Sequence, residues 1–411
     1  VHRPAASGAV RQGTLRELNL AVVLGRIATA PRPPSRADVA AATGLTRATV
    51  SAVVDDLIAG RLVAESEPAP RTGAGRPARG LVLADTGPAG LGLEVNVDYL
   101  AACVVDLAGQ LRHHTVRRAD LRPVSPADAL ARLAELAAAA RADAQRQGLT
   151  LAGAALAVPG LVDAAGLVRL APNLGWRDVA VGDLLAAHPP LADPVPGVPP
   201  LVVDNEANLA ALGELHADPA GPASFLHISG EVGIGAGIVL DGALFRGVRG
   251  WSGEIGHLPV EPEGRPCRCG GRGCLEQYAG QEAVLAAAGL ARAELPADTA
   301  AARLAALAAA GHPTALAALA EAGRALGVAV AGVVNLLDLD TVVLGGGYAL
   351  LTPWLRPPVL AEVSRRVLTA GWSPVTVRPS ALGPEAAVVG AAGSVVRRIV
   401  AAPAGWLSRP G

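Results

Sequence analysis

At 411 residues, 51% hydrophobic and 17% charged, the chain is long enough for two or three domains and too apolar to be disordered. Aromatics make up only 2%, which leaves the core to Ala, Val and Leu and argues against a base-stacking platform for single-stranded nucleic acid. The formal charge of −1 is unevenly spread: residues 1–85 carry eleven Arg against seven acids, a small basic head on a body with 24 Arg and 29 acids.

A compact unit is predicted from Thr14 to about Leu83, closed by the Pro/Gly/Arg stretch "PAPRTGAGRPARG". Within it "SRADVAAATGLTRATVSAVVDDLIAGRLV" reads as helix, turn, helix. Ser35 with Asp38 three positions on approximates a capping box, Gly44 serves the turn, and Thr46 caps the second helix. Val50, Val53, Val54 and Leu57 follow the i, i+3, i+4, i+7 rule and face inward. Small residues on the opposite face, Ser51 among them, let the backbone approach a groove, and Arg47 and Thr49 sit in the turn that meets base edges. A hairpin wing is expected after Val63, with Arg71, Arg76 and Arg79 directed at phosphates or a narrow minor groove. Arg16 and Arg36 read as solvated.

From Gly87 onward, apolar runs such as "GLGLEVNV", "LAACVVDL" and "LAGAALAVPG" alternate with Ala-rich helical blocks, a pattern that indicates α/β architecture. The tract "HPPLADPVPGVPP" near residue 190 is a proline-rich connector. No apolar stretch reaches membrane-spanning length without a charge or a proline, and the opening residues lack the apolar block of a signal peptide. The expectation is a cytoplasmic protein with no membrane partner.

Three of the four cysteines fall in "CRCGGRGC", at Cys267, Cys269 and Cys274, with His257 ten positions before the first. One nitrogen and three sulfurs make the tetrahedral donor set of structural Zn2+, and the glycines supply the tight turns needed to gather them. No position is left for water, so the ion is expected to staple a loop rather than hydrolyse anything. Cys103, alone in an apolar strand, is expected in the core.

The motifs "GEIGH" (Gly253–His257), "CRCGGRGCLE" (Cys267–Glu276), "DNEANLAALGE" (Asp204–Glu214), "APNLGW" (Ala171–Trp176) and "VVLGGG" (Val342–Gly347) resemble the ROK family of repressors, open reading frames and sugar kinases. The likeness covers roughly residues 86–402, and the helix-turn-helix ahead of it resembles the repressor branch. It implies a winged helix-turn-helix (14–83) followed by a two-lobed, actin-like body of ribonuclease H type (86–402). Lobe one would span about 86–200 plus 384–402, and lobe two about 201–383. It also implies that Asn173, Asn205, Glu206, Glu254, His257 and Glu276 hold sugar hydroxyls, with His257 turning its second nitrogen to the ligand.

Kinases of this family need a phosphate loop of Asp-x-Gly-x-Thr type, and here the text is "EVNVDY", Glu94–Tyr99, with Asp98 at the hydroxyl position. They also need a catalytic Asp, and here Glu206 carries one extra methylene, which displaces the carboxylate by on the order of 1 Å. Asp204 is expected to point elsewhere, and "SGEVGIGAG" and "LGGG" read as tight turns inherited with the fold. The expectation is therefore a DNA-binding regulator that senses a sugar, has lost kinase activity, and binds operator duplex as a homodimer or homotetramer. The alternative is an ATP-dependent sugar kinase fused to a DNA-binding head.

Overall fold

The computed structural model describes residues 12–66, 79–290 and 297–409. At the head, α1 (Gln12–Ala28) packs on a helix-turn-helix of α2 (Arg36–Thr43) and α3 (Arg47–Ala59). An antiparallel ribbon of β1 (Val63–Glu65) and β2 (Leu81–Leu83) follows. The capping box forms in full: Asp38 N donates to Ser35 Oγ at 3.2 Å, and Ser35 N to Asp38 Oδ2 at 2.9 Å. Gly44 takes the left-handed conformation (φ 72°) that ends α2, and Val50, Val53, Val54 and Leu57 are buried.

The body begins with β3 (Gly87–Val95), β4 (Tyr99–Asp106), β5 (Leu111–Arg118), α4 (Pro126–Arg146) and β6 (Leu149–Val158). A small ribbon of β7 (Leu161–Val162), β8 (Val168–Ala171) and β9 (Trp176–Val179) leads to α5 (Val181–Leu185) and β10 (Leu201–Asn205). The first sheet has the order β10-β6-β3-β4-β5. After α6 (Glu206–Ala217) come β11 (Phe225–Gly230), β12 (Ile234–Leu240) and β13 (Ala243–Phe245), then α7 (Glu276–Ala279), α8 (Gln281–Ala287), α9 (Ala297–Ala309) and α10 (Pro313–Leu337). The chain closes with β14 (Thr341–Gly346), α11 (Gly347–Arg366), β15 (Thr376–Pro379), α12 (Ala386–Ala401) and α13 (Pro403–Leu407). The second sheet runs β13-β12-β11-β14-β15.

Each sheet owns an apolar core, and α12 crosses back under the first. Gly90 and Gly92 of β3 allow this: a Cβ at either would collide with the carbonyl of Ala392 or Val388 on α12. Cys103 lies in that contact, fully buried, with its Sγ on the Val388 carbonyl. The helix α10 is long and apolar enough to span a bilayer by length and composition, but it packs within the second core.

Two boundaries differ from expectation. The strand 201–205 pairs in parallel with β6, so it closes the edge of the first sheet rather than opening the second lobe at residue 201. Leu24, Val54 and Leu57 of the head also share one core with Leu107, Val396, Ile399 and Trp406 of the body. Trp406 Nε1 donates to the Gly60 carbonyl at 2.8 Å, and Arg61 to that of Gly148 at 2.9 Å. The head is thus fastened to residues beyond 402.

Candidate functional site

Turns at the strand ends of both sheets face one another across a cleft. Asn173 comes from the β8–β9 turn, Asn205 from the end of β10, and Glu206 from the start of α6. Glu254 and His257 flank a short 3-10 turn, and Glu276 opens α7. All six line a single cavity. Gly233 is required there, because a Cβ would lie 2.6 Å from Glu276 Oε2 and 3.1 Å from Asn173 Nδ2. The Ile234 N–H donates to that same Glu276 oxygen at 3.4 Å.

Asn205 is more committed than a free ligand contact. Its Oδ1 caps α6 by accepting from Ala207 N (2.8 Å) and Asn208 N (3.3 Å), while Nδ2 donates to the Gly160 carbonyl at 2.9 Å. One amide hydrogen remains for the cavity. Asp204 points away, as expected: it accepts from Asn208 Nδ2 at 3.1 Å and pairs with Arg246 at 2.6 Å. Two residues that line the cavity were not singled out from the sequence, Glu231 and Arg268. Arg268 sits between two cysteines of the cluster, where loop geometry rather than residue type decides its direction.

The cleft floor is crowded with acids. Burial holds Glu206 well above the ordinary carboxylate range, and the charges of Glu94, Glu231 and Glu254 push the same way. Burial also raises Glu94 to about 7, against hydrogen bonds from Tyr99 Oη (2.7 Å) and Asn96 Nδ2 (3.4 Å). Glu231 rises to about 8 through burial and the neighbouring Glu94 and Asp98. Glu254 shifts upward mainly through burial, which His257 opposes.

The "EVNVDY" turn is internally bonded rather than open. Tyr99, Asn96 and Glu94 bond to one another, and the second Glu94 oxygen is buried without a partner. Opposite it, the Glu231 carboxyl packs against Gly346 at the N-terminus of α11. A helix N-terminus of this kind is a natural anion cradle, and here a side chain of the protein itself fills it.

The four predicted metal ligands converge, with their donor atoms all within 4.8 Å of one another. Cys269 and Cys274 sulfurs are 3.7 Å apart, and Cys267 Sγ is 3.9 Å from His257 Nδ1. A tetrahedron with arms of about 2.3 Å has edges of about 3.8 Å, so this chemistry and spacing fit one metal ion. Gly273 (φ 69°) permits the turn, since a Cβ there would strike the Glu261 carbonyl. His257 presents Nδ1 to the sulfurs and also lines the cavity, so the cluster and the cleft share that residue.

In the head, Thr46 Oγ1 caps α3 by accepting from Thr49 N at 3.1 Å. Arg47 and Ala48 are exposed, and Thr49 and Ser51 are half-buried. Arg36 is not simply solvated: it pairs with Asp55 (2.8 Å) and Glu65 (3.2 Å) and bonds the Ser51 carbonyl, tying α2, α3 and β1 together. Arg16 bridges to Asp56 at 2.9 Å on the surface. Arg79 shares Glu65 at 2.8 Å, whereas Arg71 and Arg76 lie outside the described residues.

The ROK family pattern matches residues 90–398. Over 365 residues the chain is 29% identical to the xylose repressor of Bacillus subtilis strain 168, covering 89% of this chain and 91% of that one. It is 36% identical to the kanosamine kinase of Amycolatopsis mediterranei, covering 63% of this chain and 80% of the kinase. Among solved structures, a ROK family transcriptional regulator homologous to the E. coli MLC protein superposes with TM-score 0.77 at 25% identity. That match covers 96% of this chain and 100% of the other. A ROK family glucokinase from Streptomyces griseus, solved with glucose and AMPPNP, gives TM-score 0.60 at 27% identity, covering 74% of this chain and 98% of the kinase. The regulators align with head and body together and the kinases with the body alone, so the chain belongs to the ROK family, in its repressor branch.

Proposed function

We propose that the protein is a transcriptional repressor whose cleft binds a sugar and whose α3 reads duplex operator DNA. The observation that carries this reading is the contrast within the cleft. Six polar side chains converge where hydroxyls would bind, while the neighbouring anion cradle is filled by Glu231. Carboxylates and amides on a hinge are the natural partners of vicinal hydroxyls. A triphosphate would have to displace Glu231 and enter a turn already occupied by Glu94 and Asp98.

Kinase activity is accordingly absent in this reading. Glu206 carries an extra methylene, burial shifts its carboxyl upward, and Asp204 is tied to Arg246, so neither is placed as an Asp base would be. Structural Zn2+ held by His257, Cys267, Cys269 and Cys274 would lock the cleft wall and leave His257 Nε2 free to meet the ligand. The helix-turn-helix with its ribbon acts as a winged reader: Thr46, Arg47, Thr49 and Ser51 face the major groove, and Arg76 and Arg79 the backbone. A homodimer or homotetramer places two α3 helices on half-sites about one helical turn apart. Sugar then shifts operator grip by its difference in affinity for the two head placements, and by no more.

The test is a salt-controlled mobility shift on a promoter fragment with a panel of pentoses and hexoses, xylose first because the aligned repressors carry its name. One sugar should change operator affinity, and Arg47→Ala should weaken operator binding by about 10- to 100-fold without touching sugar affinity. A coupled assay with ATP and the same panel should stay below roughly 1 s⁻¹. Turnover above that rate returns the protein to the kinases.

A further inference from the structure

A second cavity, of about 230 Å³, lies in the seam between head and body, at the end of α6 away from Glu206. The head contributes Ala28 from the end of α1 and Leu83 from β2. The body contributes His216 near the end of α6 and Gly393 and Arg397 from α12. The remaining lining is almost wholly apolar. His216 Nδ1 is buried with no hydrogen-bond partner, and the nearest group to a Cβ placed on Gly393 is that nitrogen, 4.0 Å away. Arg397 is half-buried on the same wall, and among the described residues no acid pairs with it.

We propose that this seam is a binding site for a small organic anion with an apolar body, its carboxylate taken by Arg397 and His216. A half-buried guanidinium with no acid paired to it lacks the charged partner that an anion supplies, and the unpartnered His216 nitrogen, in its Nδ1–H tautomer, can donate to the same anion. Apolar walls around a few convergent polar groups are the usual make-up of a small-molecule site. A reading in which the two groups merely complement helix C-termini does not account for their surroundings. That contact would hold the protonated form, whereas burial pushes His216 down to about 4 with Arg397 adding to the shift, and burial lowers Arg397 as well. Ligand here touches α1 and β2 directly, so occupancy bears on how the head sits.

Full-length protein is titrated by calorimetry with sodium benzoate, with benzamide as its neutral counterpart and inorganic phosphate as an anion without an apolar body. Benzoate should bind once per chain, at least about tenfold tighter than either control. Arg397→Gln should weaken it by about tenfold or more. Gly393→Val, which puts a branched side chain into open space inside a helix, should block it while the unliganded melting temperature holds. Benzoate binding no tighter than benzamide, or unchanged in Gly393→Val, overturns the proposal. Neither readout involves DNA or sugar, so this site and the operator reading fail separately.

Discussion

The two ends of the cleft use the same residue type to opposite effect. At one end Glu254 and Glu276 stand beside a close-packed glycine and a cysteine cluster that fixes their loop. At the other, Glu231 packs against a helix N-terminus near Glu94, and burial raises the two carboxyls to about 8 and about 7. A carboxylate that lines an open cavity is available to a ligand. One that is drawn into an anion cradle is a plug. The difference lies in what surrounds the acid, which is why a count of acids in the cleft says little about its chemistry.

That contrast is broken most severely by removing the first pair. Glu254→Ala combined with Glu276→Ala should lower affinity for the effective sugar by more than about 100-fold, each charged hydrogen bond being worth roughly 1.5–3 kcal/mol. Calorimetry that finds less than a threefold loss places the sugar elsewhere. Next in size, Cys274→Ser or prolonged chelation should lower the melting temperature by about 5 °C or more and weaken sugar binding with it, because the cluster and the cleft wall share His257. Scanning calorimetry that shows an unmoved transition removes the strut.

The smallest effect concerns the plug. Glu94 and Glu231 titrate near 7 and 8 in the folded chain against 4.5 ordinarily. Above pH 4.5 the unfolded chain has released protons that the native one still holds. Their stabilising contribution is therefore complete below pH 4.5 and is lost as pH rises toward 8. Thermal melts should fall across that window, and Glu231→Gln should flatten the slope. A variant with the wild-type slope shows that Glu231 is ionised in place.

Much of this was legible in the residues. Ser35, Asp38 and Gly44 announce their helix ends because capping is local, and the cysteine cluster announces itself because its ligands lie within 18 residues. The six cleft residues line one cavity. What escaped was set by contacts between distant segments. Glu231 reads as one acid in a glycine-rich turn until Gly346, far along the chain, is brought against it. Asn205 reads as a free amide until the Gly160 carbonyl claims one of its hydrogens. Arg36 reads as solvated until Asp55 and Glu65 bracket it. The strand at 201–205 reads as the start of a lobe because nothing in its own residues names the neighbour it will join.

Trp406 of α13, anchored on the Gly60 carbonyl just after α3, ties the segment that follows α12 to the head, while α12 itself packs under the first sheet. One continuous stretch of chain therefore bears on both the first sheet and the head, so a shift of that sheet reaches the head through packed side chains.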